Sequence, residues 1–305
     1  MEYLLWLFQK ARQEVFNMLK EGIQGFCMAL ADSVPGVSGG TVAFIMGFYD
    51  RFIGAIDRLV FGKKKQKIAA GRYLIKLGAG WLVGMMMAVL VLSALFDSKI
   101  YTVSSVFIGF IAGSIPLIIR EEKESFIQLK KGILFCIAGI ILVAGITWLH
   151  GQGQTAGMNL SQFSIFNAVK LFLIGMIAIS AMFLPGISGS TLLLIFGAYI
   201  PVITAIRGVL GVHLNYIPSL FFFGCGILTG AVTVVKGIKI CLEKYRVQSV
   251  YAILGMMIGS FYAIAQGPTT LAVPKAALSI GNFQILACAV GLALVIGMQK
   301  LKETC

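Results

Sequence analysis

A seven-residue motif occurs twice in this chain, identical at five positions: Pro35-Gly36-Val37-Ser38-Gly39-Gly40-Thr41 and, 150 positions later, Pro185-Gly186-Ile187-Ser188-Gly189-Ser190-Thr191. The match runs without a gap over residues 25–56 against 175–206, and a Gly-x-Tyr follows each motif, at Gly47 and Tyr49 and at Gly197 and Tyr199. Each copy interrupts an apolar run too long for one bilayer crossing. As one helix, residues 22–56 would extend roughly 50 Å at 1.5 Å per residue, against a hydrocarbon core of ~30 Å. Proline beside several glycines breaks a helix. The pattern predicts two half-helices around a polar turn, a re-entrant hairpin entering and leaving on one side. Its irregular tip is tolerable only where protein or water covers it.

Composition agrees with a polytopic membrane protein. Of 305 residues 58% are apolar and 12% charged, with 36 glycines and a mean hydropathy of +0.93. Small residues let helices approach closely in lipid, and so low a charge content excludes a large extramembrane domain. The two histidines, His150 and His213, stand alone and no Cys-x-x-Cys occurs, so neither a metal nor a cofactor is expected.

The expected fold is all-α, with two inverted-topology repeats, each one re-entrant hairpin plus three transmembrane helices. Residues 1–21 read as an amphipathic interfacial helix, with an ordinary helix packed on the bundle as the alternative. Repeat 1 covers residues 22–149, its hairpin 22–56 followed by spans at 75–96, 103–119 and 132–149. A polar external linker, 150–165, precedes repeat 2 at 166–301, with hairpin 166–206 and spans at 217–235, 250–265 and 283–298. Glycine blocks recur in the same order: Gly78, Gly80 and Gly84 match Gly224, Gly226 and Gly230; Gly109 and Gly113 match Gly255 and Gly259; Gly139 and Gly145 match Gly291 and Gly297. Four ordered blocks indicate a duplicated unit.

A hairpin plus three spans makes an odd number of crossings, so the second copy is expected upside down. Charge placement tests this. With both termini cytoplasmic, 21 of the 25 Lys and Arg fall on cytoplasmic segments, leaving Lys99, Lys170, Arg207 and Lys275 elsewhere. That is the positive-inside asymmetry. The net charge of +13 then reports orientation and contact with anionic membrane lipids, not nucleic acid.

Inverted repeats with broken helices place substrate between the repeats. A half-helix starting after Pro-Gly-x-Ser-Gly offers unpaired N–H groups and the positive end of a dipole. Ser38, Thr41, Ser188, Ser190 and Thr191 add hydroxyls, and Gly39, Gly40 and Gly189 permit close approach. The two tips together are expected to hold one anion without a formal positive charge; the plainer alternative is that the hydroxyls only cap helices.

The paired P-G-x-S-G-G/S-T motifs, with G-x-Y after each, resemble the bacterial polyprenyl-phosphate (undecaprenyl phosphate) translocases, and residues 31–41 carry the most specific part. The resemblance implies a flippase of the bacterial cytoplasmic membrane, not an enzyme. It would return polyprenyl phosphate from the outer to the inner leaflet for cell-wall polymer synthesis. Two other classes remain open. A polyprenyl-diphosphate phosphatase also has re-entrant repeats, but its motif arginine is here Gly39 or Gly189 and no apolar Glu-x-x-x-Glu is present. A carrier of a small soluble anion is the second.

Ionisable residues in apolar segments are functional candidates. Asp32 ends the first arm of hairpin one, and its counterpart is Met182. It is the candidate for proton coupling, since moving phosphate inward against the potential costs ~2.3 kcal/mol per charge per 100 mV. An Asx-turn shaping the break is the alternative. Arg51 and Arg207, just past each hairpin, are accessory phosphate-capture candidates, with snorkelling as the alternative for Arg51.

Overall fold

Glycine decides how closely these helices pack, and the helices follow its placement. A computed structural model describes residues 18–32, 38–88, 93–127, 129–152, 160, 164–187, 189–212, 214–270 and 275–304. Most of the expected N-terminal amphipathic helix, most of the linker, residues 33–37 and Ser188 lie outside these. Among the described residues every regular element is helical: α1 (18–32), α2 (Gly39–Ile45), α3 (Tyr49–Phe61), α4 (Lys64–Met87), α5 (Ser93–Glu121), α6 (Lys123–Phe126), α7 (Leu129–Gln152), α8 (Ile165–Phe183), α9 (Gly189–Ile195), α10 (Tyr199–Leu210), α11 (Ile217–Lys244), α12 (Arg246–Gln266) and α13 (Ile285–Thr304), with short 3-10 turns at Leu214–Tyr216 and Gly267–Thr270.

Among the described residues, five stretches are long and apolar enough to cross a bilayer: Lys99–Glu121, Gly132–Leu149, Ile165–Phe183, Leu214–Lys244 and Arg246–Thr269. The protein is a multi-pass membrane protein. The span expected at 75–96 begins within α4, which starts earlier, at Lys64, and carries a basic first half; residues 89–92 lie outside the described residues. α5 begins at Ser93, ahead of the expected 103, and is kinked at Lys99.

Glycines make the contacts between helices. On α1 and α4, a Cβ on Gly80 would strike the Gly22 carbonyl, and one on Gly84 the Phe26 carbonyl at 2.6 Å. On α8 and α11, Gly226 meets the Phe172 carbonyl and Gly230 meets Met176 at 2.7 Å. These are the same contacts in each copy, and in both pairs the helices run side by side in the same direction. The remaining spans pair across the copies. Gly109 of α5 abuts Cys288 of α13, and Gly113 abuts Leu292; Gly255 of α12 abuts Cys136 of α7, and Gly259 abuts Val143. These pairs are parallel too. Gly78, Gly224, Gly145 and Gly297, by contrast, face open space, so their recurrence is not explained by packing.

The segment after each motif is more broken than a single half-helix. α2 is seven residues long and stops at Gly47, whose φ is +71; α9 stops at Gly197, φ +66. Phe48 N–H bonds the Ala43 carbonyl at 3.0 Å, and Ala198 N–H bonds the Leu193 carbonyl at 2.8 Å. This six-to-one bond past a left-handed residue is a helix C-cap, which glycine adopts without a Cβ penalty. The Gly-x-Tyr repeat is thus a second break, ending the returning arm after about 10 Å.

Candidate functional site

The two motifs touch through a chain of hydrogen bonds. Ser38 is the N-cap of α2, its Oγ accepting from Thr41 N–H at 3.3 Å. The same hydroxyl donates across to the Leu184 carbonyl at 3.1 Å, while Gly186 N–H donates to Thr41 Oγ1 at 2.8 Å. Ser38 has one proton and spends it on Leu184, so Thr41 is the donor in the 3.2 Å contact between the two hydroxyls. The result runs from Gly186 N–H through Thr41 and Ser38 to the Leu184 carbonyl. Ser38 and Thr41 are fully buried. Gly186 sits at φ +84, where a Cβ would meet the Met256 carbonyl at 2.6 Å. Tyr49 of the Gly-x-Tyr adds a bond from its hydroxyl to the Phe183 carbonyl at 2.8 Å.

Gly40 is needed because a Cβ there would lie 3.0 Å from the Phe183 carbonyl. Gly39 and Gly189 are each roofed by the side chain seven residues earlier, Asp32 at 2.8 Å and Met182 at 2.6 Å from the added Cβ. Asp32 does not face only the negative end of its own helix. Its Oδ1 accepts from Gly39 N–H at 2.6 Å, at the positive end of α2, and its Oδ2 accepts from Trp81 Nε1–H at 2.9 Å. A carboxylate at a helix N-terminus is favourable. The Asx-turn offered as the alternative involves residues 33–37, which lie outside the described residues. Met182 takes the place of Asp32 in the second copy, and the position equivalent to Trp81 is Ile227. The acid and its indole donor are therefore a matched pair confined to copy one.

Of the remaining expected site residues, Gly189 opens α9. Ser190 and Thr191 follow it there, but their side chains, like that of Arg207 in α10, lie outside the described residues.

Arg51 is already engaged. Its Nη2 bonds Glu21 Oε1 at 2.6 Å and its guanidinium lies 4.3 Å over the Tyr73 ring; Lys76 Nζ is 3.5 Å from the other Glu21 oxygen. Because residues 21 and 51 are bonded, the segment between them folds back on itself. A second network joins the copies: Arg246 of α12 binds Asp50 at 2.6 Å and also Glu122, and Lys239 of α11 binds Asp57 at 2.6 Å. Beside it is a cavity of about 120 Å³ lined by Phe44, Tyr49, Asp50, Ile118, Glu122 and Arg246 among others. Glu21, Lys76, Trp81 and Arg246 were not singled out from sequence. Comparing the copies would have flagged Glu21 against Leu171 and Trp81 against Ile227.

Residues 28–280 match the family model described as VCA0040-like, undecaprenyl phosphate translocase-like. The chain belongs to this family. Similar to it within the undecaprenyl phosphate translocase-like proteins is a polyprenyl-phosphate transporter of Staphylococcus aureus, 33% identical over 254 residues, which cover 82% of this chain and 87% of that one. A polyprenyl-phosphate transporter of Vibrio cholerae is 31% identical over 268 residues, 85% of this chain and 81% of its own. Both are named as transporters, not enzymes. No solved structure matches this translocase-like chain.

Proposed function

We propose that this protein carries polyprenyl phosphate across the bacterial cytoplasmic membrane, from the outer to the inner leaflet, returning the carrier for cell-wall polymer synthesis. The observation that carries this reading is the hydrogen-bonded chain between the motifs. It brings the Ser38-Gly39-Gly40-Thr41 tip against the tip containing Gly189, Ser190 and Thr191. In the arrangement described, the Ser38 hydroxyl donates to the opposite backbone and the Thr41 hydroxyl donates to Ser38 while accepting from Gly186 N–H. A phosphate takes them when the tips part, each donor exchanging a carbonyl or hydroxyl acceptor for a phosphate oxygen. Hydrogen bonds to a charged group are worth about 1.5–3 kcal/mol, more than the neutral ones they replace. Neutral donors also release the ligand more readily than a bidentate arginine.

Two inverted repeats are supported by the helix directions. α5 and α13 run parallel, as do α7 and α12, which alternating crossings allow only when the second copy is upside down. The Glu21–Arg51 contact supports re-entrancy. From residue 21 to residue 32 is about 17 Å of helix, close to half of a ~30 Å core. Both termini then lie in the cytoplasm, and one repeat rocks against the other around the tips.

Asp32 is the proton-coupling group in this scheme. Its charge holds the start of α2, so protonation loosens the tip as the phosphate passes. Arg207 gathers phosphate at the outer face. Reconstituted into liposomes, the protein should move polyprenyl phosphate between leaflets. Absence of flipping by folded protein, or equal transport of a soluble anion such as inorganic phosphate, would overturn this function. Arg207→Gln should raise the apparent KM for outward-facing capture.

A further inference from the structure

We infer that Arg51, Lys76 and Tyr73 form a second phosphomonoester site at the base of hairpin one, occupied in this structure by the chain's own Glu21 carboxylate. The inference rests on the lipid-phosphate function proposed above. Glu21 and Gln24 of α1 and Tyr73 of α4 are each more than nine-tenths buried. Yet Glu21 Oε2, Gln24 Oε1 and the Tyr73 hydroxyl have no hydrogen-bond partner among the described residues. Buried polar atoms are normally satisfied, so three unspent ones on two adjacent helices require a reason.

The fold does not supply it. The positions equivalent to Glu21, Gln24 and Arg51 in copy two are Leu171, Ile174 and Pro201, and the first two are buried apolar core. The same hairpin base is built there without charge. Copy one therefore carries Glu21, Arg51 and Lys76 for another purpose.

The donors suit phosphate. The Arg51 guanidinium carbon sits 4.3 Å from the Tyr73 ring centroid, and with its side chain 54% exposed it can turn its fork to a phosphate when Glu21 yields. Lys76 reaches Glu21 only at 3.5 Å, outside good hydrogen-bond geometry, and Tyr73 has an unspent O–H. Arg51, Lys76 and Tyr73 thus supply three donor groups for the three terminal oxygens of a phosphomonoester. Ile23 and Ile75, next to the site in sequence, are well exposed and offer an apolar surface to a tail. Glu21 is a stand-in anion. It neutralises the two cations when no lipid phosphate is present and must yield its place when one arrives.

The test uses full-length protein in nanodiscs with a ten-carbon prenyl phosphate and, separately, inorganic phosphate, both followed by calorimetry. Glu21→Gln keeps the shape and removes the competitor, so it should bind the prenyl phosphate about tenfold more tightly than wild type. In that background Arg51→Gln should lose about tenfold, whereas in wild type it should lose less, because Glu21 already occupies Arg51. A carboxylate that serves only to hold helices would give equal or weaker binding in folded Glu21→Gln protein, and that result overturns the inference. Where Glu21→Gln does not fold, Lys76→Gln decides: affinity should fall about fivefold at unchanged thermal stability, and unchanged affinity overturns the site. The prenyl ester should bind more tightly than inorganic phosphate; equal affinity overturns its assignment to the lipid. Wild-type protein that fails to flip lipid phosphate removes the proposed function instead, whatever the binding results.

Discussion

Thr41→Val tests the contact between the two motifs without changing shape. The hydroxyl accepts Gly186 N–H at 2.8 Å and donates to Ser38 at 3.2 Å, all in a fully buried setting. Valine fills the same volume and leaves the Gly186 N–H with no acceptor. A buried donor left unsatisfied costs about 1–3 kcal/mol. That cost falls on the arrangement with the tips together, because once they part the N–H can reach water or ligand. The equilibrium between the two should then shift by roughly 5–150-fold. Amide hydrogen exchange reads it directly: a peptide covering residues 184–187 should exchange faster by that factor, while peptides from α7 and α12 keep their rates. The N-cap bond from Thr41 N–H to Ser38 persists, so α2 itself should hold. Lipid-phosphate flipping should fall at least about fivefold, since the hydroxyl is also a proposed phosphate donor. Unchanged exchange at 184–187 together with unchanged flipping would refute both the contact and its role.

Exchanging copy-one residues for their copy-two counterparts separates structure from coupling at Asp32. Asp32→Met with Trp81→Ile should be closer to wild type in melting temperature than either single variant, each of which strands a half-buried polar partner; its flipping should lose dependence on pH and voltage, measured in liposomes with imposed gradients. Arg246→Gln removes the cation shared by Asp50 and Glu122, a half-exposed link worth on the order of 1 kcal/mol. It should speed maleimide labelling of Ile118→Cys, in the adjoining cavity, in a background without the native cysteines. Gly255→Ala must push α12 off the Cys136 carbonyl and should cost about 1–3 kcal/mol or more, read as a lowered melting temperature. Gly224→Ala meets nothing and should be neutral or stabilising by up to about 1 kcal/mol.

Duplication made much of this architecture legible before any coordinates. The repeated motif located the two segments that meet, and the glycine blocks named most of the positions where helices touch. Gly39→Asp, which would set a like charge at the proposed anion site, is a poor probe: its Cβ would sit 2.8 Å from the Asp32 carboxylate, so it would disrupt the cap regardless of any ligand. The Gly-x-Tyr repeat was visible, but its meaning was not, because a helix C-cap at Gly47 depends on the φ the chain adopts there. Glu21 was hidden for a different reason. A glutamate in a polar helix reads as solvated, and only Arg51 and Lys76, brought to it from 30 and 55 residues away, make it a buried ion pair. Arg246 likewise acquires its role from Asp50 and Glu122 of the other copy.

The crosswise glycine contacts have a consequence for how such a chain arose and how it diverged. Gly109 on Cys288 and Gly255 on Cys136 are one contact with its partners exchanged, the signature of a self-complementary interface. An interface of that kind closes between two separate half-length chains, one inserted in each direction, as readily as between two fused ones. In the proposed inverted arrangement, fusion fixes the direction of each half, and with it which half starts from the cytoplasm. From then on the halves are free to differ. Several of the residues at which they differ, Glu21 against Leu171, Asp32 against Met182 and Trp81 against Ile227, are charged or polar on one side and apolar on the other. A symmetric pair of chains would have to carry both charges twice or not at all. One chain can keep them on a single half, and only then can the two faces of the membrane be treated differently.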